Sequence, residues 1–197
     1  MRRYLVIFAS ACAFAAGMLV ATPAFAGPSL SGTVTHHKGN ANLVVYVTKV
    51  NGKFAAPTRH PVMDQKKMQF VPHVMPVLVG TTVDFLNSDS ISHNVFSPDH
   101  EGYNLGSWSK GKKRSYTFKH LGPYTQLCSI HPEMEAFIVV LQNPYYAVTD
   151  AKGHFKINLP AGHYTLKVWG EHFHSKDKKK TFSVDVAAGG SIVALSF

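Results

Sequence analysis

Along most of the chain, apolar residues alternate with polar ones at every second position or gather in short runs. That is the spacing of strands, and a sustained helical period is hard to find. Leu43 to Val50, Val74 to Val79, Thr82 to Leu86, Ser115 to Phe118, Tyr124 to Cys128 and Ala136 to Leu141 carry the pattern in the first two thirds. Asn87-Ser88-Asp89, Ser97-Pro98-Asp99, Gly122-Pro123 and Asn143-Pro144 separate them with turn chemistry. Beyond Pro144 a second series begins. Val148 to Phe155 reads as strand, turn, strand, and the alternations Phe155/Ile157/Leu159, Tyr164/Leu166/Val168, Phe182/Val184/Val186 and Val193/Leu195/Phe197 follow. Regular short strands of this kind predict an all-β protein with a larger antiparallel sandwich and a smaller second one.

The first 26 residues depart from this texture. Arg2 and Arg3 precede an apolar run from Tyr4 to Val20, and Ala24-Phe25-Ala26 supplies the small residues of a cleavage site. We read 1–26 as a secretory signal peptide cut before Gly27, leaving no membrane span and placing the mature chain in the periplasm. The Arg pair leaves both the general and the twin-arginine export routes open.

Charge and cysteine content then sharpen the picture. The chain has 20 Lys and Arg against 11 Asp and Glu, densest at Lys110 to Arg114 and Lys176 to Lys180. An exported chain without a nucleic-acid-binding motif is not expected to use this charge on nucleic acid. Of 2 cysteines, Cys12 falls in the leader, so Cys128 is alone in the mature chain. It has no intrachain partner, and an unprotected thiol outside the cytoplasm invites oxidation. A bound metal would protect it.

Two segments supply the rest of such a site. His93 follows the strand and turn that end in Asn87-Ser88-Asp89, and Cys128, His131 and Met134 follow one another at intervals of three where a strand ends. A soft thiolate, two imidazoles and a thioether suit an ion that cycles between Cu(I) and Cu(II) better than they suit zinc. Copper would also hold Cys128 as the thiolate. Three other groups could bind metal: Met63/Met68/His73/Met75, His172 with His174, and His36-His37. Core packing, a polar loop and a turn account for them more simply. No arrangement for hydrolysis is present, so catalytic residues are not expected and the protein is read as no enzyme.

Residues from about Met68 to Leu141 resemble the cupredoxins, and the loop Cys-x-x-His-Pro-x-Met running into a Val-rich strand (Cys128 to Val140) is most similar to the amicyanin branch. The resemblance implies a Greek-key β-sandwich with one type 1 copper. His93 and His131 would bind through imidazole nitrogen, Cys128 through sulfur and Met134 axially. Asn94 would tie the first histidine loop to the cysteine loop near Ser129. It further implies one-electron transfer with a cytochrome or oxidoreductase docking near His131, although Glu133 and Glu135 leave the polarity of that face open. A periplasmic copper carrier using the same site is the alternative. A nitrite-reductase-like enzyme would need a second copper, for which His172 and His174 are the available donors.

The tail resembles carboxypeptidase regulatory-like (transthyretin-like) sandwiches through Thr149 to Phe155 and Leu159 to Trp169. The combination resembles a bacterial group labelled methylamine-utilisation proteins. We therefore expect a cupredoxin domain over 27–143 and a second sandwich over 144–197. Strands within 29–50 belong either to the first or to the second.

Overall fold

The computed structural model describes residues 27–197; the expected leader over 1–26 lies outside the described residues. Two strands come first, β1 (Ser29–Thr35) and β2 (Val44–Val47). Nine follow: β3 (Val62–Gln65), β4 (Phe70–Val71), β5 (Val74–Leu78), β6 (Thr82–Asn87), β7 (His93–Ser97), β8 (Tyr103–Trp108), β9 (Lys113–Thr117), β10 (Gly122–Leu127) and β11 (Glu135–Leu141). The rest comprises β12 (Tyr146–Val148), β13 (His154–Asn158), β14 (Gly162–Trp169), the one-turn helix α1 (Ser175–Lys179), β15 (Phe182–Val186) and β16 (Ser191–Ser196).

The nine central strands close one sandwich from sheets ordered β5-β11-β10-β7-β8 and β4-β3-β6-β9. Its core holds Met63, Phe70, Met75, Val83, Phe85, Val95, Phe118, Tyr124 and Ile138, with Cys128 and Met134 at one end of the same cluster. Two of the strand pairs, β5 with β11 and β3 with β6, are parallel, and such pairs require the chain to cross between sheets.

β1 and β2, left between two assignments by the sequence, hydrogen-bond with the C-terminal strands. β1 lies between β13 and β16, and β2 between β12 and β14, with Val45 opposite Val168 and Val47 opposite Leu166. The expected cupredoxin boundary at residue 27 therefore gives way to a segment inserted between β2 and β12. Within the second sandwich, Gly32 lets β1 lie close to β16, since a Cβ there would stand 2.2 Å from the Val193 carbonyl oxygen.

The insert packs on its host through a shared layer. β11 is buried along nearly its whole length because alternate residues serve different cores. Ala136, Ile138 and Val140 point into the core of the inserted sandwich, while Phe137, Val139 and Leu141 join Val44 and Val74, with Tyr46, Tyr146 and Trp169 against them. A strand covered on both faces is uniformly apolar, the composition seen at Ala136 to Leu141. β2 divides likewise, with Val45 and Val47 in the host core and Val44 in the shared layer.

Candidate metal centre

The site lies where the β6–β7 and β10–β11 connections meet in the inserted sandwich. Asn87, fully buried at the end of β6, shapes the first of them. Its Nδ2 donates to the carbonyls of Ile91 (2.8 Å) and Trp108 (2.9 Å), and its Oδ1 accepts from the Asp89 amide at 2.9 Å. The chain then re-enters the sheet at His93, which opens β7 rather than sitting on a free loop. Because β7 starts there, the imidazole is carried by a strand and is 0 % exposed.

β10 ends at Leu127, and the next residue is Cys128, 3 % exposed. A tight turn follows, in which the Met134 amide donates to the His131 carbonyl at 3.0 Å. This returns the chain to β11 and buries Met134, 1 % exposed, in the same apolar cluster as Cys128. His131 is half-buried at the surface end.

The His93 and His131 Nδ1 atoms face each other at 3.0 Å, and the Cys128 sulfur is 3.9 Å from His131 Nδ1. Among the described residues, these three are brought together as a metal-binding group, all three donor atoms within 4.8 Å of one another. Donors lying about 2.0–2.3 Å from a single ion stand about 3–4 Å apart, so the spacing fits one ion. The donor chemistry fits copper.

Polar side chains around the donors fix them. Asn94 Oδ1 accepts from the Ser129 amide (3.2 Å) and hydroxyl (3.0 Å), which joins the histidine segment to the cysteine loop as expected. The Asn94 amide points at the Cys128 sulfur at 3.5 Å, and its Nδ2 donates to Asn104 and Gly106. Gln65, also fully buried, donates to the Asn94 carbonyl at 3.1 Å.

Asp89 is the residue that sequence reasoning missed, having read it only as part of a turn. His93 Nε2 donates to its carboxylate at 2.9 Å, which leaves Nδ1 free to face a metal. The same carboxylate accepts from the amides of Lys67 (2.6 Å) and Met68 (2.8 Å), two consecutive residues held at φ 56° and 57°. Burial alone would push the Asp89 carboxyl up, but these donors and His93 outweigh it and hold it below its ordinary value. A histidine four residues after an aspartate was the only available signal.

Residues 58–141 match the family of copper binding proteins, plastocyanin/azurin family. This segment is a cupredoxin domain. Solved structures similar to the chain include an amicyanin variant with Cu(I), at 28 % identity over 41 % of this chain and 81 % of that one, with a TM-score of 0.39. A purple cupredoxin from Nitrosopumilus maritimus is 26 % identical over 41 % of this chain and 98 % of its own, with a TM-score of 0.37. A copper-containing nitrite reductase from Thermus scotoductus is 28 % identical over 49 % of this chain but only 25 % of its own length, with a TM-score of 0.42. Among curated proteins, none matches the chain.

The remaining candidate groups do not join the cupredoxin centre. Met63 and Met75 are buried in the domain core, whereas Met68 stands exposed on the β3–β4 turn. His73 Nε2 reaches across to Glu171 of the host sandwich at 2.9 Å. His172 and His174 precede α1, so the expected polar loop leads into a turn of helix that carries part of the Lys176 to Lys180 run. Glu133 and Glu135 are exposed on the side of the centre that faces Gln69 and His73.

Proposed function

We propose that the protein is a periplasmic one-electron carrier in which His93, Cys128, His131 and Met134 hold a single type 1 copper ion. The observation that carries this reading is the unequal burial of the donors. His93, Cys128 and Met134 are sealed from water, and only His131 comes near the surface. Ile91 and Ile130, on the two loops that carry the donors, are exposed apolar residues, as is Met68 beside Asp89. A partner docking there would meet an apolar patch with one imidazole edge in it.

Copper would supply the exchange of a single electron between Cu(I) and Cu(II). The chain's own residues restrict motion during that exchange. Asp89 holds the His93 ring through Nε2, and Asn94 locks the cysteine loop to the first strand of the site. Met63 and Met75 are committed to core packing and offer no second methionine site beside this one. A one-electron carrier makes and breaks no bonds, so under this proposal the protein is no enzyme. Export rests on the pattern of residues 1–26 and on the solitary mature cysteine. Among the described residues, no helix is long and apolar enough to cross a membrane.

Visible absorption and electron paramagnetic resonance of the copper-loaded protein test the reading. An intense thiolate-to-copper band is expected, absent in Cys128→Ser and lost or strongly altered in His131→Ala. A wild-type protein that binds copper without that band would overturn it.

A further inference from the structure

Two histidine segments that the sequence keeps far apart are brought together by the host sandwich. His36-His37 opens the connection from β1 to β2, and His172 to His174 links β14 to α1. The His36 and His37 ring centroids are 4.3 Å apart, and those of His37 and His174 are 6.2 Å apart with planes only 17° from parallel. Phe173 lies against His36 at 4.5 Å, with the edge of Phe197 at 6.1 Å.

Asp177 completes the group from within α1. Its Oδ2 is 3.7 Å from His36 Nε2, and the two side chains are only 5 % and 1 % exposed. That nitrogen is buried without a hydrogen-bond partner, and 3.7 Å exceeds hydrogen-bonding length. It is, however, the separation of two ligands on one ion, each about 2.0–2.2 Å from the metal. An unsatisfied buried nitrogen beside a buried carboxylate is costly unless something bridges them. Burial, followed by the charge of neighbouring His37, holds His36 below its ordinary pKa.

We propose that His36 Nε2, Asp177 Oδ2 and the imidazoles of His37 and His174 form a second metal site, for a borderline divalent cation such as Zn(II) or Cu(II). The inner pair is already spaced for an ion. The outer two side chains, His37 and His174, are exposed and would rotate inward to complete the coordination. Nδ1 of His36 accepts only a long bond, 3.3 Å, from the Lys38 amide. Binding at Nε2 moves the ring proton to Nδ1 and releases that bond. With no sulfur among its donors the site differs in kind from the cupredoxin centre, and an ion in it would fasten the end of β1 to α1.

The experiment uses Cys128→Ser/His131→Ala, which removes two donors of the cupredoxin centre. Calorimetric titration with Zn(II) is expected to show one equivalent bound, with a rise in melting temperature. Cu(II) in the same variant is expected to give a paramagnetic signal of nitrogen and oxygen ligands without the thiolate band. Adding His37→Ala and His174→Ala, both at exposed positions, should remove the binding while the circular dichroism stays unchanged. Asp177→Asn should weaken it at least tenfold. Absence of Zn(II) binding, or its survival after His37 and His174 are removed, overturns the proposal. So does loss of binding on His100→Ala/His120→Ala instead, since that is the other near-parallel pair, at 5.9 Å.

Discussion

Replacing Asp89 with alanine tests whether one carboxylate organises the cupredoxin centre. The substitution removes the acceptor for three donors, the amides of Lys67 and Met68 and Nε2 of His93. Hydrogen bonds to charged groups contribute roughly 1.5–3 kcal/mol each when water is excluded. Lys67 and Met68 are exposed, so water replaces much of what their amides lose, and about 1 kcal/mol for each is the fitting value. The His93 ring is fully buried, and leaving its Nε2 without an acceptor costs roughly 1–3 kcal/mol. Relief of the carboxylate's own desolvation offsets part of this, for a net loss of about 3 kcal/mol.

Urea unfolding of the metal-free protein measures that loss directly. With metal present, a ring no longer held through Nε2 should weaken copper binding by about 10–100-fold, read by competition against a chelator. Asp89→Asn keeps one acceptor oxygen and should recover roughly half of the stability. Because the folded carboxyl lies below its ordinary value, its contribution is complete at neutral pH and above the unfolded pKa. It fades as the pH falls through the folded value. A variant within about 0.5 kcal/mol of wild type, the margin of an ordinary surface substitution, and with unchanged copper affinity would refute the reasoning.

Asp84 should govern acid stability elsewhere in the same domain. Burial would raise its carboxyl, but Lys113, Ser115 and His60 bring it down to about 2, so no more than about 2 kcal/mol is held above pH ~4 and lost as pH falls toward ~2. Asp84→Asn should flatten that part of the stability–pH curve measured by urea titration, and an unchanged curve would count against the assignment. Phe137→Ala removes the ring that meets Trp169 at 5.2 Å and His73 at 5.6 Å in the shared layer, with an expected cost of about 3–4 kcal/mol. Its unfolding should split into two transitions, since Trp169 reports on the interface and Trp108 on the copper domain. A single transition at near wild-type stability would show that the layer does not couple the sandwiches.

The cupredoxin centre was legible because its signal is chemical and local. A lone cysteine followed at short intervals by histidine and methionine is uncommon, and each donor type narrows the ion before any fold is known. Asp89 was not legible, because its role depends on the β3–β4 turn folding back to meet it. β8 escaped notice since Asn104 and Gly106 interrupt its alternation, though that same Asn104 accepts a hydrogen bond from Asn94. The placement of β1 and β2 was undecidable for a different reason. Alternating residues such as Val45 and Val47 fit the inner face of either sandwich, and their partners lie more than a hundred residues away.

That long separation bears on the order in which the molecule assembles. The stretches flanking the insert are clasped to each other: Gln142 exchanges side-chain hydrogen bonds with the Val50 backbone, and Asn143 donates to the Val47 carbonyl. On a chain emerging amino end first, β1 and β2 have no partners until β12 to β16 arrive, whereas the copper domain already has all its strands. The domain can thus mature as a finished knot while the host waits, and its folding draws Val50 and Gln142 together. Closing that loop early lowers the entropic penalty of the later pairing. The inserted domain becomes the template on which the two halves of its host meet.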